Sequence, residues 1–63
     1  MVIYIGDNEE IIIRELHDEP VNTDLRIGVY NKDKLLKIFQ VGEIEKAVKY
    51  GEECYKDILN KVD

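Results

Sequence analysis

The sequence predicts an α+β domain: an antiparallel β-meander of about four strands, then one C-terminal amphipathic helix packed on one face, in the order β-β-β-β-α. Three observations predict it. Apolar and other residues alternate through "LRIGVY", 25–30, the period-two mark of a half-covered strand. Other β-formers gather in short runs bounded by Gly, Asn and Asp, the residues of tight turns. From Gly42 onward the apolar spacing changes to three and four, which is the helical period.

Val2 to Ile5 reads as the first strand, "GDNE" at 6–9 as a turn, and Glu10 to Leu16 as the returning strand. A tight turn at Asp7–Asn8 sets Ile3 opposite Ile12 and Tyr4 opposite Ile11. One face then carries Val2, Tyr4, Ile11 and Ile13, and the other Ile3, Ile5, Ile12 and Leu16. "HDEPVNTD", 17–24, holds Pro20 among turn formers and reads as a loop. "LRIGVY" is the third strand, "NKDK" at 31–34 a turn and "LLKIFQV" at 35–41 the fourth. That loop sets Tyr30 opposite Leu35, Val29 opposite Leu36 and Ile27 opposite Ile38. Val29, Leu36, Ile27 and Ile38 share one face; Arg26, Lys37, Tyr30, Leu35 and Phe39 share the other.

The helix is expected over about 43–62. Ile44, Ala47, Val48, Gly51, Tyr55, Ile58, Leu59 and Val62 form its apolar stripe, with Cys54 at the margin. Glu45–Lys49, Glu52–Lys56 and Asp57–Lys61 stand at i,i+4 on the outer side, in the favourable acid-first order. Gly51 costs about 1 kcal/mol relative to alanine inside a helix. At the centre of the stripe, it implies close approach of helix and sheet.

One helix covers one sheet face. Three consecutive isoleucines, Ile11 to Ile13, send side chains to both, so bulky apolar residues remain on the far side. Ile3, Ile5, Ile12, Leu16, Tyr30, Leu35 and Phe39 are the expected self-association face. Together they make a patch of several hundred Å², large for a monomer. The expectation is a homo-oligomer joined through that sheet face; a partner protein, or a sheet continued edge to edge, would cover it too.

Sixty-three residues form a single domain, 1–63, of the size at which stability is marginal. Cys54 is the only cysteine, so no disulfide staples the chain; a lone thiol fits a reducing, cytoplasmic compartment. No apolar run is long enough to span a membrane. The net charge is −5, concentrated early: Asp7, Glu9, Glu10, Glu15, Asp18, Glu19 and Asp24 stand against the single base Arg14. These seven acids are the candidate partner-binding residues, suited to a basic protein surface. Nucleic acid is disfavoured, since phosphate contact needs positive charge. Arg26, Lys32, Lys34 and Lys37 make the second hairpin locally basic, but Asp33 interrupts them.

Nothing points to an enzyme, a metal or a cofactor. His17, Asp18 and Glu19 are contiguous, and adjacent side chains seldom converge on one ion. Cys54 has no base beside it in sequence, and Gly6, Gly28, Gly42 and Gly51 fall into no phosphate-cradling pattern.

"GEIEKA", 42–47, follows the strands as a G-x-x-x-x-A helix start. With the order of strands and helix, it is similar to the partial RNase-H-like part of HicB-type antitoxins. The resemblance implies an antitoxin fragment and assigns no site residue. In size and acidity the chain is also similar to small phage-encoded inhibitors of host nucleases. The functional expectation is a small acidic protein-binding module, self-associating through its sheet, that regulates or inhibits a partner. The alternatives are a purely structural homo-oligomeric subunit and a HicB-like antitoxin fragment.

Overall fold

A computed structural model describes residues 2–16 and 26–61. The elements are β1 (Val2–Ile5), β2 (Ile11–Leu16), β3 (Arg26–Asn31), β4 (Lys34–Gln40), a 3-10 turn at Val41–Glu43 and α1 (Ile44–Asn60). The strands pair antiparallel in the order β1-β2-β3-β4, and the helix follows. The expected β-β-β-β-α order is what the chain forms. The expected loop at 17–24 and Val62 lie outside the described residues.

The first register differs from the one the sequence suggests. Ile3 lies opposite Ile13, Tyr4 opposite Ile12 and Ile5 opposite Ile11. The connection is longer than a two-residue turn: Gly6 (φ +106°) and Glu9 (φ 54°) both take left-handed conformations. Within it the Glu9 N–H donates to the Gly6 carbonyl at 3.1 Å. A one-residue slip sends every side chain of a strand to the other face. Ile11 and Ile13 therefore join Ile3 and Ile5, not Val2 and Tyr4.

The second hairpin begins as expected, with Tyr30 opposite Leu35. A bulge then intervenes: Val29 pairs with Lys37, so Leu36 is the extra residue, and Ile27 meets Phe39 while Gly28 meets Ile38. An added residue in one strand moves everything beyond it by one position. Phe39 is thereby brought under the helix and Ile38 is turned away from it, the reverse of the simple count.

The core is where the helix meets the sheet. Ile11, Ile13, Ile27, Val29 and Ala47 are buried, with Ile3, Ile5, Leu36, Phe39 and Ile44 among those packed around them. Gly51 fits the close-approach expectation: a Cβ there would lie 3.1 Å from Ile5 Cδ1 and 3.2 Å from both Ile11 Cγ2 and Ile13 Cδ1. The helix is rolled towards β4. At one margin Tyr50 meets the Phe39 ring at 5.7 Å between centroids, and Lys37 Nζ stands 5.3 Å and 5.4 Å from those two rings. At the opposite margin Leu59, expected in the stripe, is 53% exposed. Burial, then the neighbouring Cys54, raises the Tyr50 phenol above its ordinary pKa. On the outer side the helix forms i,i+3 ion pairs, Lys46–Glu43 at 3.4 Å and Lys56–Glu53 at 3.9 Å.

Glu43 holds the start of the helical segment. Its Oε1 accepts the Gln40 N–H at 3.2 Å and its Oε2 the Lys46 ammonium at 3.4 Å. The Gln40 bond first, and Lys46 second, hold its carboxyl below the ordinary value. A carboxylate with a depressed folded-state pKa stabilises above its unfolded value, and that stabilisation is lost as pH falls through the folded one. In an NMR titration the Glu43 carboxyl is expected to protonate at lower pH than a free glutamate side chain. Fraying at Val41–Glu43 should follow its protonation, and Glu43→Gln should fray without that pH dependence.

Candidate functional site

Among the described residues no three His, Cys, Asp or Glu side chains gather in a way that could hold a metal ion. Cys54 is half-buried and lines a small hollow of about 160 Å³ with Leu36, Asp57 and Ile58. No helix among the described residues is long and apolar enough to cross a membrane. The feature that stands out is the side of the sheet that α1 leaves uncovered.

Paired residues of adjacent strands share a face, so the registers define that side row by row. Tyr4, Ile12, Tyr30 and Leu35 form one row across all four strands. Val2, Arg14, Gly28 and Ile38 form the next, and Leu16, Arg26 and Gln40 a third. Val2, Tyr4, Leu35 and Ile38 are between 41% and 54% exposed, which places them in water rather than in the core. Gly28 sits in the middle, and the side chains around it have closed over its bare backbone. A Cβ there would lie 2.8 Å from Tyr30 Cε1, 3.2 Å from Leu35 Cδ1 and 3.3 Å from Leu16 Cδ1.

A groove of about 370 Å³ runs along β2 on this side. Ile12 is its floor and Tyr4 and Tyr30, paired to Ile12 from either side, are its walls. Arg14 and Val2 close one end; Lys32 and Asp33 stand at the other. The Arg14 guanidinium carbon stands 4.6 Å from the centre of the Tyr30 ring, a cation–π arrangement. Lys32 is tied to the neighbouring turn, its backbone N–H donating to the Glu10 carbonyl at 2.9 Å and its Nζ to the Asn8 carbonyl at 3.2 Å. That turn is also held from the other layer, since the Asp7 N–H donates to the Tyr55 hydroxyl at 3.4 Å. The groove rim therefore rests on both hairpins and on the helix.

Of the residues expected on the uncovered face, Ile12, Leu16, Tyr30 and Leu35 lie there. Ile3, Ile5 and Phe39 do not: the longer first turn and the β4 bulge place them against the core under the helix. Val2, Tyr4 and Ile38 take their places, which an odd-numbered first connection and the bulge would have revealed, and Arg14 joins Ile12 and Leu16 by alternation along β2.

The expected acidic surface is divided. Asp7 and Glu9 are exposed on the first turn, while Glu10 is folded into it, its Oε1 accepting the Asn8 N–H at 3.1 Å. Glu15 lies near the far end of β2, opposite Ile27 and so on the helix-facing side. Asp18, Glu19 and Asp24, with His17, lie outside the described residues. Among the described acids, Asp7, Glu9 and Glu10 belong to the first turn and Glu15 to the far end of β2. On the uncovered side, the charged strand residues among those described are Arg14 and Arg26, both cationic.

The chain matches no protein-family model, no curated protein and no solved structure.

Proposed function

We propose that this chain is a small protein-binding module whose docking surface is the uncovered side of its sheet, and that it regulates or inhibits its partner by occupying it. One observation carries the reading: Tyr4, Ile12, Tyr30 and Leu35 line up across all four strands on a side that no element of the described chain covers. Tyrosine and arginine packed side by side are what the energetic centres of protein interfaces are made of. The turn acids Asp7 and Glu9 stand beside the Lys32 end of this surface and would disfavour negative charge of a partner at that end.

Self-association is the second reading, favoured by the same exposed apolar residues. Four strands about 4.8 Å apart and about six residues long span roughly 400 Å². That is about half of what each partner gives to a standard interface, near 800 Å². Sheet-to-sheet packing would also bring the Arg14 positions of two copies into one interface. Area and charge both favour an extended segment of another protein as the occupant.

Peptides enriched on the immobilised chain from a random displayed library are expected to bind the wild type and to lose that binding with Ile12→Lys, while Glu45→Lys on the outer side of the helix changes nothing. Equal binding to Ile12→Lys, or no enrichment at all, would sink the reading. Light scattering over a concentration series tests self-association separately; a mass twice that of one chain, halved by Leu35→Glu, would make a second copy the occupant.

A further inference from the structure

The geometry points to an acidic extended peptide segment as the ligand of the Tyr4–Tyr30 groove, with a carboxylate on Arg14 and a large apolar side chain between the tyrosines. This rests on the docking reading above and names the class of its partner.

The charge of the groove is the first ground. The whole chain carries −5, yet the groove holds two cations, Arg14 and Lys32, against the single acid Asp33. Among the described residues no carboxylate lies within ion-pair distance of Arg14, whose guanidinium lies over the Tyr30 ring. A guanidinium held over an aromatic ring can still offer its N–H donors to a carboxylate in two parallel bonds. The ring contact also narrows the freedom of the Arg14 side chain before a ligand arrives, which lowers the ordering cost of binding.

Spacing is the second ground. Ile12 and Arg14 are two residues apart on one strand, so their side chains emerge about 7 Å apart on the same side. An extended ligand lying along β2 repeats that spacing: an acid at one position meets Arg14 when an apolar residue two places away sits over Ile12. The opposite end presents Lys32 with Asp33 beside it, so a second acid there gains less. The recognised pattern is acid, any residue, large apolar residue.

The test uses the full chain, isotope-labelled, and three probes: the peptide Gly-Ser-Glu-Thr-Phe-Thr-Glu-Ser-Gly, its counterpart with lysine for both glutamates, and a short oligouridylate as the other source of anions. The glutamate peptide is expected to shift the amide signals of Tyr4, Ile12 and Tyr30. Its binding should weaken as salt rises and fall by about tenfold or more with Arg14→Glu. Circular dichroism checks that this variant folds; if it does not, Tyr4→Ala, which removes one exposed wall, replaces it with the same expected loss. Equal or tighter binding of the lysine peptide, preference for the oligouridylate, or no shift with any probe would each overturn the assignment. Library peptides that need Ile12 but carry no acid would overturn it too, while leaving the docking reading standing.

Discussion

Ile13→Ala is expected to remove about 3 kcal/mol of stability, Ile11→Ala nearly as much, and Ile12→Ala only about 1 kcal/mol. Ile11 and Ile13 are 0% exposed at the centre of the core, and truncating a fully buried isoleucine costs about 2–5 kcal/mol through lost transfer energy and the cavity left behind. Ile12 is half-buried on the floor of an open groove, so less of its surface is withdrawn from water and solvent can fill what its truncation leaves. A domain of this size commands only about 3–5 kcal/mol in all. Ile13→Ala should therefore be largely unfolded in mild urea, with Ile12→Ala much closer to wild type. Urea midpoints, read at an unchanged slope, settle the ranking. An Ile12→Ala loss as large as that of Ile13→Ala would mean that the uncovered side is covered in solution, and its dependence on protein concentration would show by what.

Gly51→Leu should cost about 2 kcal/mol, although leucine is much the better helix former. Replacing glycine inside a helix gains nearly 1 kcal/mol of propensity. Against this, a Cβ at Gly51 already crowds three isoleucine tips at 3.1–3.2 Å, and the rest of a leucine would have to push α1 off the sheet. Overpacking a filled core costs about 1–3 kcal/mol per modest insertion, and more when a whole side chain has no room. Gly51→Ala is the control: its gain and its crowding nearly offset, leaving the midpoint within about 1 kcal/mol of wild type. A Gly51→Leu chain as stable as the alanine variant would show that the helix rides higher than described.

Much of this architecture can be read without coordinates. The change of apolar period at Gly42 marks the helix, and Gly51 in its stripe marks the tight contact with the sheet. What escapes a reading of spacing is parity. Whether Glu9 takes a left-handed conformation, and whether Leu36 is looped out of its ladder, leave no mark in apolar spacing. Each adds one residue to a count, and one residue is enough to exchange Ile3 for Tyr4, or Phe39 for Ile38, between core and water. The groove was hidden for the same reason: Tyr4 and Tyr30 flank Ile12 only in the longer register. Arg14, read as the single base in an acidic stretch, gains its meaning from the Tyr30 ring it covers, which is distant in sequence.

The extra residue in β4 has one more effect. A flat outer strand invites further chains to add to it, and β4 is the longer of the two outer strands. Its kink increases the local twist, and Lys34 and Lys37 set like charge against like in any copy that tried to extend the sheet there. On the other side β1 offers only a short rung. A greasy miniature protein is thus equipped to stay out of fibrils at concentrations where its exposed tyrosines would otherwise promote them.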